Sequence, residues 1–430
     1  MSHFLTGCAK EDALLVSVLK SLGAVPFART TVPQTMLSVV SSNPIDGMTR
    51  NPLDLNRSPA GSSSGEAALI GGGGSVFGLG TDLGGSIRLP AAMCNIVGFK
   101  PTPGRLSQLG MFKIHRLTTV TSTPGPLARD VETCMSVVKA LFNSHLHREF
   151  DYFVPPLKYS DEHSFEVPLR IGYFVTDGSF TPVPAAQRAV MHVKAKLEAR
   201  GHELVPWQPP FKGCQWLSLF VTGVYADGMQ PLLRALHYDA IDEAIAGTVK
   251  LMRAWRITRY WKYLLTRFFG SPDDLVVLRA LSAVHDIPSM LQHTQEVEAF
   301  RRQIYSHWRE ARLDALICPA FGLAAPPPLK PKHRFTGMLS YLNLFNLANM
   351  PAGCLPSGIS VCEDDLAALK PSVDGSSTRY QWNSLVLELQ RDIHGFPVSI
   401  QVAAAPWRDE ICLHVMREVE DAVKCQPNLL

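Results

Sequence analysis

Near the start of the chain, apolar side chains recur at helical spacing. Leu14, Leu15, Val18, Leu19 and Leu22 predict a helix over Lys10 to Leu22, which Gly23 ends before a strand-like run from Ala24 to Ala28. The same step recurs later: a strand over Leu169 to Phe174, a helix over Ala185 to Arg200, a stop at Gly201 and a strand over His202 to Val205 predict a βαβ unit. Pro397 to Val402 alternates as a strand does. From Trp407 to Val423, Ile411, Cys412, Val415, Met416 and Val419 share one helical face. Strands alternating with helices over the whole length predict an α/β fold: a large, mixed, mainly parallel sheet covered by helices. No repeat of 20 to 50 residues is visible, which argues against a solenoid.

Composition narrows the picture. The 430 residues are 46% hydrophobic and 18% charged, enough apolar material for one large core and far from a disordered composition. A formal net charge of +3 with no dense run of Lys or Arg gives no nucleic-acid footprint. Nine cysteines, an odd number without framework spacing or a Cys-x-x-Cys pair, read as reduced, mostly buried thiols, which implies a cytosolic face. Met1 to Lys10 lacks the features of a secretory signal, and no stretch supplies 18 uncharged apolar residues, so no span is predicted within these residues. His145 and His147 have no further ligand at metal spacing; neither a metal nor a cofactor is expected.

The most informative stretch is Ser58 to Arg88, SPAGSSSGEAALIGGGGSVFGLGTDLGGSIR. Three serines, Ser62 to Ser64, precede a short helical run and four glycines. A candidate strand from Val76 to Leu83 then leads into Gly84-Gly85-Ser86, with a helix able to begin at Ile87. Glycines let backbone N–H groups face a ligand. The N–H groups of Gly84, Gly85 and Ser86 can therefore converge on one oxygen, which describes a nucleophile inside an oxyanion hole. An isolated Gly-Gly-Ser is more often a tight turn capping a helix; the surrounding block argues for the chemical role.

The run from Ser58 through Lys100-Pro-Thr-Pro-Gly-Arg-Leu-Ser107 resembles the amidase signature, a serine cluster followed by Asp-x-Gly-Gly-Ser-x-Arg. The resemblance extends to Gly23–Phe27, Pro33–Ser38, Gly125–Asp130 and Pro406–Glu410, and looks nearest to the fatty acid amide hydrolases. It implies one amidase signature domain over residues 1–430, with a large mixed twisted sheet covered on both faces by helices. Ser86 then matches the nucleophile, and Ser62, 24 residues earlier, matches the proton-relay serine held through a cis peptide bond. The oxyanion hole maps onto the backbone N–H groups of Leu83, Gly84, Gly85 and Ser86. Met36 and Thr81 fall on substrate-contacting positions, Leu37 lies beside Met36, and Asp82 and Arg88 brace the loop. As a bare Met-Leu pair, Met36 and Leu37 read equally as core.

The family's base is a buried, neutral lysine in a Ser-x-Lys-Glu or Ser-x-Lys-Asp segment on an upstream strand. No such segment precedes Ser62. Lys10 belongs to the following helix and lies too near Ser62 in sequence, Lys20 is a helix-surface residue, and Lys100 belongs to the Lys-Pro-Thr motif. The expectation is a domain lacking its N-terminal part, including the lysine strand; the alternative is a catalytically silent, lipid-binding pseudoamidase.

Lys250 to Phe269, KLMRAWRITRYWKYLLTRFF, mixes Arg253, Arg256, Arg259, Lys262 and Arg267 with aromatic and aliphatic residues and contains no acid. That composition suits an interfacial helix, although an ordinary surface helix is the commoner reading. The resemblance favours a membrane-binding cap over residues 250–283, with Trp255, Trp261, Phe268 and Phe269 entering the lipid. Its further implications are a fatty acid amide substrate, a homodimer, and attachment to the cytosolic face of the endoplasmic reticulum or other endomembranes.

Two rival enzymes remain. Gly61-Ser62-Ser63-Ser64-Gly65 fits Gly-x-Ser-x-Gly, the elbow of an α/β-hydrolase with Ser63 as nucleophile, but Asn51 to Pro59 is no strand. A tRNA-dependent amidotransferase subunit is disfavoured by the basic aromatic segment. Nucleotide binding is weaker still, because Gly78-Leu-Gly80 lacks the third glycine of a dinucleotide fingerprint.

Overall fold

The computed structural model describes the chain except residues 1–9, 112–116, 161–167, 255–257, 259, 260, 262, 265–271, 328–336, 370–383, 391 and 425–430. An eight-stranded sheet forms its centre. In chain order the strands are β1 (Phe77–Asp82), β2 (Val97–Lys100), β3 (Thr123–Ala128), β4 (Arg170–Tyr173), β5 (Glu203–Pro206), β6 (Ala315–Pro319), β7 (Ala352–Ser360) and β8 (Pro397–Ala404). In space they lie β1-β3-β2-β7-β8-β6-β4-β5.

The expected βαβ unit is present: β4 and β5 pair in parallel, and α5 (Pro184–Ala199) connects them. Pro184 starts α5, where its missing N–H costs nothing, and Ala185, Ala186, Ala189, Val190, Val193 and Leu197 form its buried stripe. The sheet is mixed but not mainly parallel. Five neighbouring pairs run antiparallel and two parallel. Consecutive strands reverse direction only from β2 to β3 and from β7 to β8; because strands of opposite direction interleave in space, most neighbours are antiparallel. Local periodicity reports the connections, and interleaving is a long-range choice that it does not carry.

Helices cover both faces. Gly98 on β2 lies against Ala91 of α3 (Arg88–Met93), whereas Gly353, paired with the next β2 residue Phe99, lies against Met416 of α11 (Asp409–Lys424) on the opposite face. α11 buries Ile411, Cys412, Val415, Met416 and Val419, the face expected from sequence. Helix α1 (Leu14–Ser21) buries Leu14, Leu15 and Val18. Ala24 to Ala28, in contrast, joins no ladder, and Val25 and Phe27 are exposed, so the strand-like composition there finds no partner strand. The other elements used below are α2 (Ser64–Gly71), α4 (Val131–Asn143), α6 (Gly213–Val224), α7 (Glu243–Arg253), α8 (Pro272–Ala283), α9 (Ile287–Glu310) and α10 (Ser340–Leu347). Asp130 caps α4 by accepting from Thr133 N–H, and Asp286 caps α9 by accepting from Ser289 N–H.

The proposed cap is only partly described. Trp255, Phe268 and Phe269, with Arg256, Arg259, Lys262 and Arg267, lie outside the described residues. Trp261 is 60% exposed. At the flanks, Leu251 and Met252 of α7 and Leu278 and Leu281 of α8 are buried together with Met229, Leu232 and Leu236, and α8 packs on α6. The ends of the segment are therefore docked on the body of the protein. Among the described residues no helix is long and apolar enough to cross a membrane.

Candidate active site

The serine cluster and the Gly-Gly-Ser turn meet at one cleft of about 630 Å³, whose walls include Met36, Ser62, Thr81, Leu83, Ser86 and Val120. Two local features bring them together. β1 delivers Ser86 to the sheet end, immediately ahead of α3. The serine cluster enters α2, and Ser63 N–H donates to Ser86 C=O at 3.0 Å, stitching the two segments side by side. The Gly61–Ser62 peptide bond is cis. Ser62 is buried at 5% exposure, and Ser86 is half-buried.

Ser63 does not line this cleft. Its side chain packs against Gly80 of β1, where a Cβ would lie 2.5 Å from Ser63 Oγ. Ser64 Oγ donates to Thr31 C=O. The middle serine of the Gly-x-Ser-x-Gly match is thus held in the packing, and no histidine or carboxylate is among the described residues lining the cleft. Neither is a lysine.

The turn carrying Ser86 leaves no room for side chains. A Cβ on Gly84 would lie 2.5 Å from Cζ of Phe220, on α6; Gly85 has φ +116°, and a Cβ there would lie 2.6 Å from Leu342, on α10. Glycine is required at both positions, for space at the first and for space and backbone conformation at the second.

Behind the turn lies a buried ion pair. Asp82 and Arg88 are both fully buried, with Arg88 Nε 3.0 Å from Asp82 Oδ2. Asp82 Oδ1 accepts from Gly85 N–H at 2.7 Å, and Oδ2 accepts from Ile87 N–H at 3.2 Å. Burial pushes the Asp82 carboxyl up, but the Arg88 charge and its hydrogen bonds outweigh that and hold it well below the usual carboxylate range. Removing one partner of such a pair leaves an uncompensated buried charge, at a cost of roughly 3–5 kcal/mol. Here the structure departs from the sequence expectation. Gly85 N–H, one of the four groups expected to face an oxyanion, donates to Asp82. A backbone N–H committed to a carboxylate cannot be recognised from a motif.

Two further motifs meet on the opposite side of β2. Thr102 donates from N and Oγ1 to the two oxygens of Asp409, each at 2.7 Å, and Arg105 pairs with Asp409 at 2.9 Å and Glu410 at 3.0 Å. The Lys100-to-Ser107 and Pro406-to-Glu410 runs therefore meet in one buried cluster. Lys100 is fully buried and donates to Pro101 C=O at 3.0 Å; burial and the nearby Arg88 charge bring its ammonium down to about 7. It is not among the described residues lining the cleft. Nor, among the described residues, does any cluster of three or more His, Cys, Asp or Glu suit a metal ion.

Comparison with known proteins gives this geometry a context. Residues 2–413 match the family described as Amidase. Fatty-acid amide hydrolase 1 of Sus scrofa is 37% identical over 418 residues, covering 96% of this chain and 70% of that protein. Fatty acid amide hydrolase 1 of Caenorhabditis elegans is 35% identical over 424 residues, covering 96% of this chain and 72% of the other. A solved structure of a fatty acid amide hydrolase superimposes with a TM-score of 0.77 at 25% identity, over 96% of this chain and 68% of that one.

Proposed function

Because the chain belongs to the amidase signature family of amide-hydrolysing enzymes, we propose that it cleaves fatty acid amides to the free acid and amine, with Ser86 as nucleophile and Ser62 as proton relay. The observation that carries this reading is the convergence of Ser62 and Ser86 on one cleft whose other walls combine apolar side chains with Thr35, Thr81, Gln108, Thr121 and Ser122. Met36, Leu37, Leu117 and Val120 suit an acyl chain, and Thr81 a polar contact near the reacting carbonyl.

In the proposed reaction a lone pair of Ser86 Oγ bonds to the amide carbon as the C=O π pair moves to oxygen. The N–H groups of Leu83, Gly84 and Ser86 hold the resulting oxyanion. The Ser86 proton passes to Ser62, which yields its own to the base. As the C–N bond breaks, a proton returns through Ser62 to the leaving amine. Water then attacks the acyl ester, releases the acid and restores Ser86. Within residues 1–430 no Ser-x-Lys-Glu or Ser-x-Lys-Asp precedes Ser62, so the reading assigns the base to a lysine outside these residues. The silent pseudoamidase is the competing outcome.

Labelling with a fluorophosphonate tests the assignment on a chain extended upstream. We predict that Ser86→Ala abolishes labelling and turnover, while Ser62→Ala folds and reacts slowly. Persistent labelling of Ser86→Ala refutes the nucleophile, and wild-type rates in Ser62→Ala remove the relay.

The reading includes attachment to the cytosolic face of an endomembrane through residues 250–283, and a homodimer. Support for the membrane comes from the acid-free, basic and aromatic run Lys250 to Phe269 and from the exposure of Trp261.

A further inference from the structure

The Asp82–Arg88 pair is held from outside its own motif by two buried amides. Arg88 carries five guanidinium N–H donors, and all five are placed. Nε and one Nη2 hydrogen go to Asp82, one Nη1 hydrogen goes to Leu342 C=O at 2.9 Å, and the remaining two reach Gln401 Oε1 and Asn346 Oδ1, each at 2.5 Å. Gln401 lies on β8 and Asn346 on α10, at 0% and 1% exposure.

Their second contacts differ. Asn346 Nδ2 donates to Asp82 Oδ1 at 2.9 Å, the same oxygen that accepts from Gly85 N–H. Gln401 Nε2 points away, to Tyr341 C=O at 3.0 Å. A continuous relay therefore runs from the centre of the sheet through Arg88 and Asp82 to the backbone of the Ser86 turn. Neither amide lines the cleft.

We propose that Asn346 and Gln401 are positioning residues for the oxyanion site: by fixing Arg88 and Asp82 they set the direction of the N–H groups in the Leu83–Ser86 turn. The inference deepens the proposed function and rests on it. It applies to the charged tetrahedral state and not to binding of the acyl chain, because the relay ends at the turn. It also gives the two amides unequal chemistry. Toward this relay Gln401 is only an acceptor, so a carboxylate can replace it. Asn346 must accept from Arg88 and donate to Asp82, and a carboxylate there faces another carboxylate.

Dodecaneboronic acid provides the test. The Ser86 oxygen bonds to trigonal boron and its proton leaves to solvent, giving a tetrahedral anion with an oxygen in the oxyanion site. Titration reads this adduct at equilibrium, so the result does not depend on the catalytic base. Dodecanol reports chain binding alone, and thermal melting reports folding. We expect Gln401→Leu and Asn346→Asp to weaken boronate binding about tenfold or more, a loss smaller than the roughly 10²–10³ that follows removal of a whole oxyanion donor. Gln401→Glu should stay within about threefold of wild type, even though it loses the Tyr341 contact and melts lower. Dodecanol affinity should be unchanged throughout.

If Gln401→Leu does not fold, Gln401→Met takes its place. Two results overturn the inference: boronate affinity unchanged in folded Asn346→Asp and Gln401→Leu, or boronate and dodecanol affinities falling together. A wild-type chain that binds dodecanol but takes no boronate, or a Ser86→Ala chain that takes it equally well, overturns the nucleophile assignment and the inference with it.

Discussion

We predict that Gly84→Ala costs about a hundredfold in kcat for a short amide, with little change in KM. The new Cβ would sit 2.5 Å from Cζ of Phe220. Carbon atoms pack comfortably at about 3.5–4.0 Å, so the turn or the ring must yield by about 1 Å. Phe220 is 7% exposed, on a helix packed against α8, α9 and α10, and the turn is the softer partner. A shift of that size misaims the Gly84 N–H. Losing one oxyanion donor costs about 10²–10³ in kcat, and a hundredfold corresponds to roughly 2.7 kcal/mol of barrier. Overpacking should lower stability by about 1–3 kcal/mol. The measurements are kcat, KM and thermal melting on a chain extended upstream, for Gly84→Ala, Phe220→Leu and the double variant. Phe220→Leu opens the space, so the double variant should recover most of the kcat lost by Gly84→Ala. Wild-type kcat in Gly84→Ala, or a double variant no faster than the single, would refute this account of the turn.

Extending the chain upstream to restore a Ser-x-Lys-Glu segment should raise amide turnover by about 10²–10⁴-fold, the usual worth of general-base help; equal rates with and without it favour the pseudoamidase. Replacing Trp255, Trp261, Phe268 and Phe269 with serine should move the protein from vesicle pellet to supernatant while hydrolysis of a short soluble amide persists; a variant that still pellets, or loses both properties, places the segment in the core. Lys100 titrates at about 7 in the folded chain against an ordinary 10.5, so between those values the folded state binds fewer protons than the unfolded one and wild-type stability gains with pH. Lys100→Met should therefore be the more stable protein at about pH 6, its margin shrinking above pH 7 by up to about 1.4 kcal/mol per unit, as read by melting at several pH values; a constant margin contradicts the shifted lysine.

The residues that line the cleft were the most legible. Ser62, Thr81, Leu83 and Ser86 meet at one cleft, and Met36 and Leu37, ambiguous between core and channel, lie in its wall. Such short-range blocks carry their geometry in glycine and serine spacing. Asn346 and Gln401 gave no signal, because a buried amide inside an apolar helix or strand takes meaning only from the guanidinium opposite it. The same limit explains the sheet. Which strands interleave is decided by segments more than 200 residues apart, such as Gly98 beside Cys354. Ala24 to Ala28 shows the converse, since strand-like residues form no strand without a neighbour.

The strand order has a consequence for biosynthesis. β7 and β8, the last strands to be made, lie in the middle of the sheet and join the early trio β1-β3-β2 to the trio β6-β4-β5. The inner edge of the early trio waits for β7, which pairs with β2, and that of the β6-β4-β5 trio waits for Pro397–Ala404, which also brings Arg88 its acceptor on Gln401. At about 5–20 residues per second the early strands wait on the order of ten seconds or more with apolar faces and ladder edges unpaired. Closing contacts this distant in sequence is slow in its own right. The nascent chain should therefore depend on chaperones, and a nick between Ser360 and Pro397 should be far more damaging than one in an outer loop, because it cuts the connection between β7 and β8, the pair that joins the two trios.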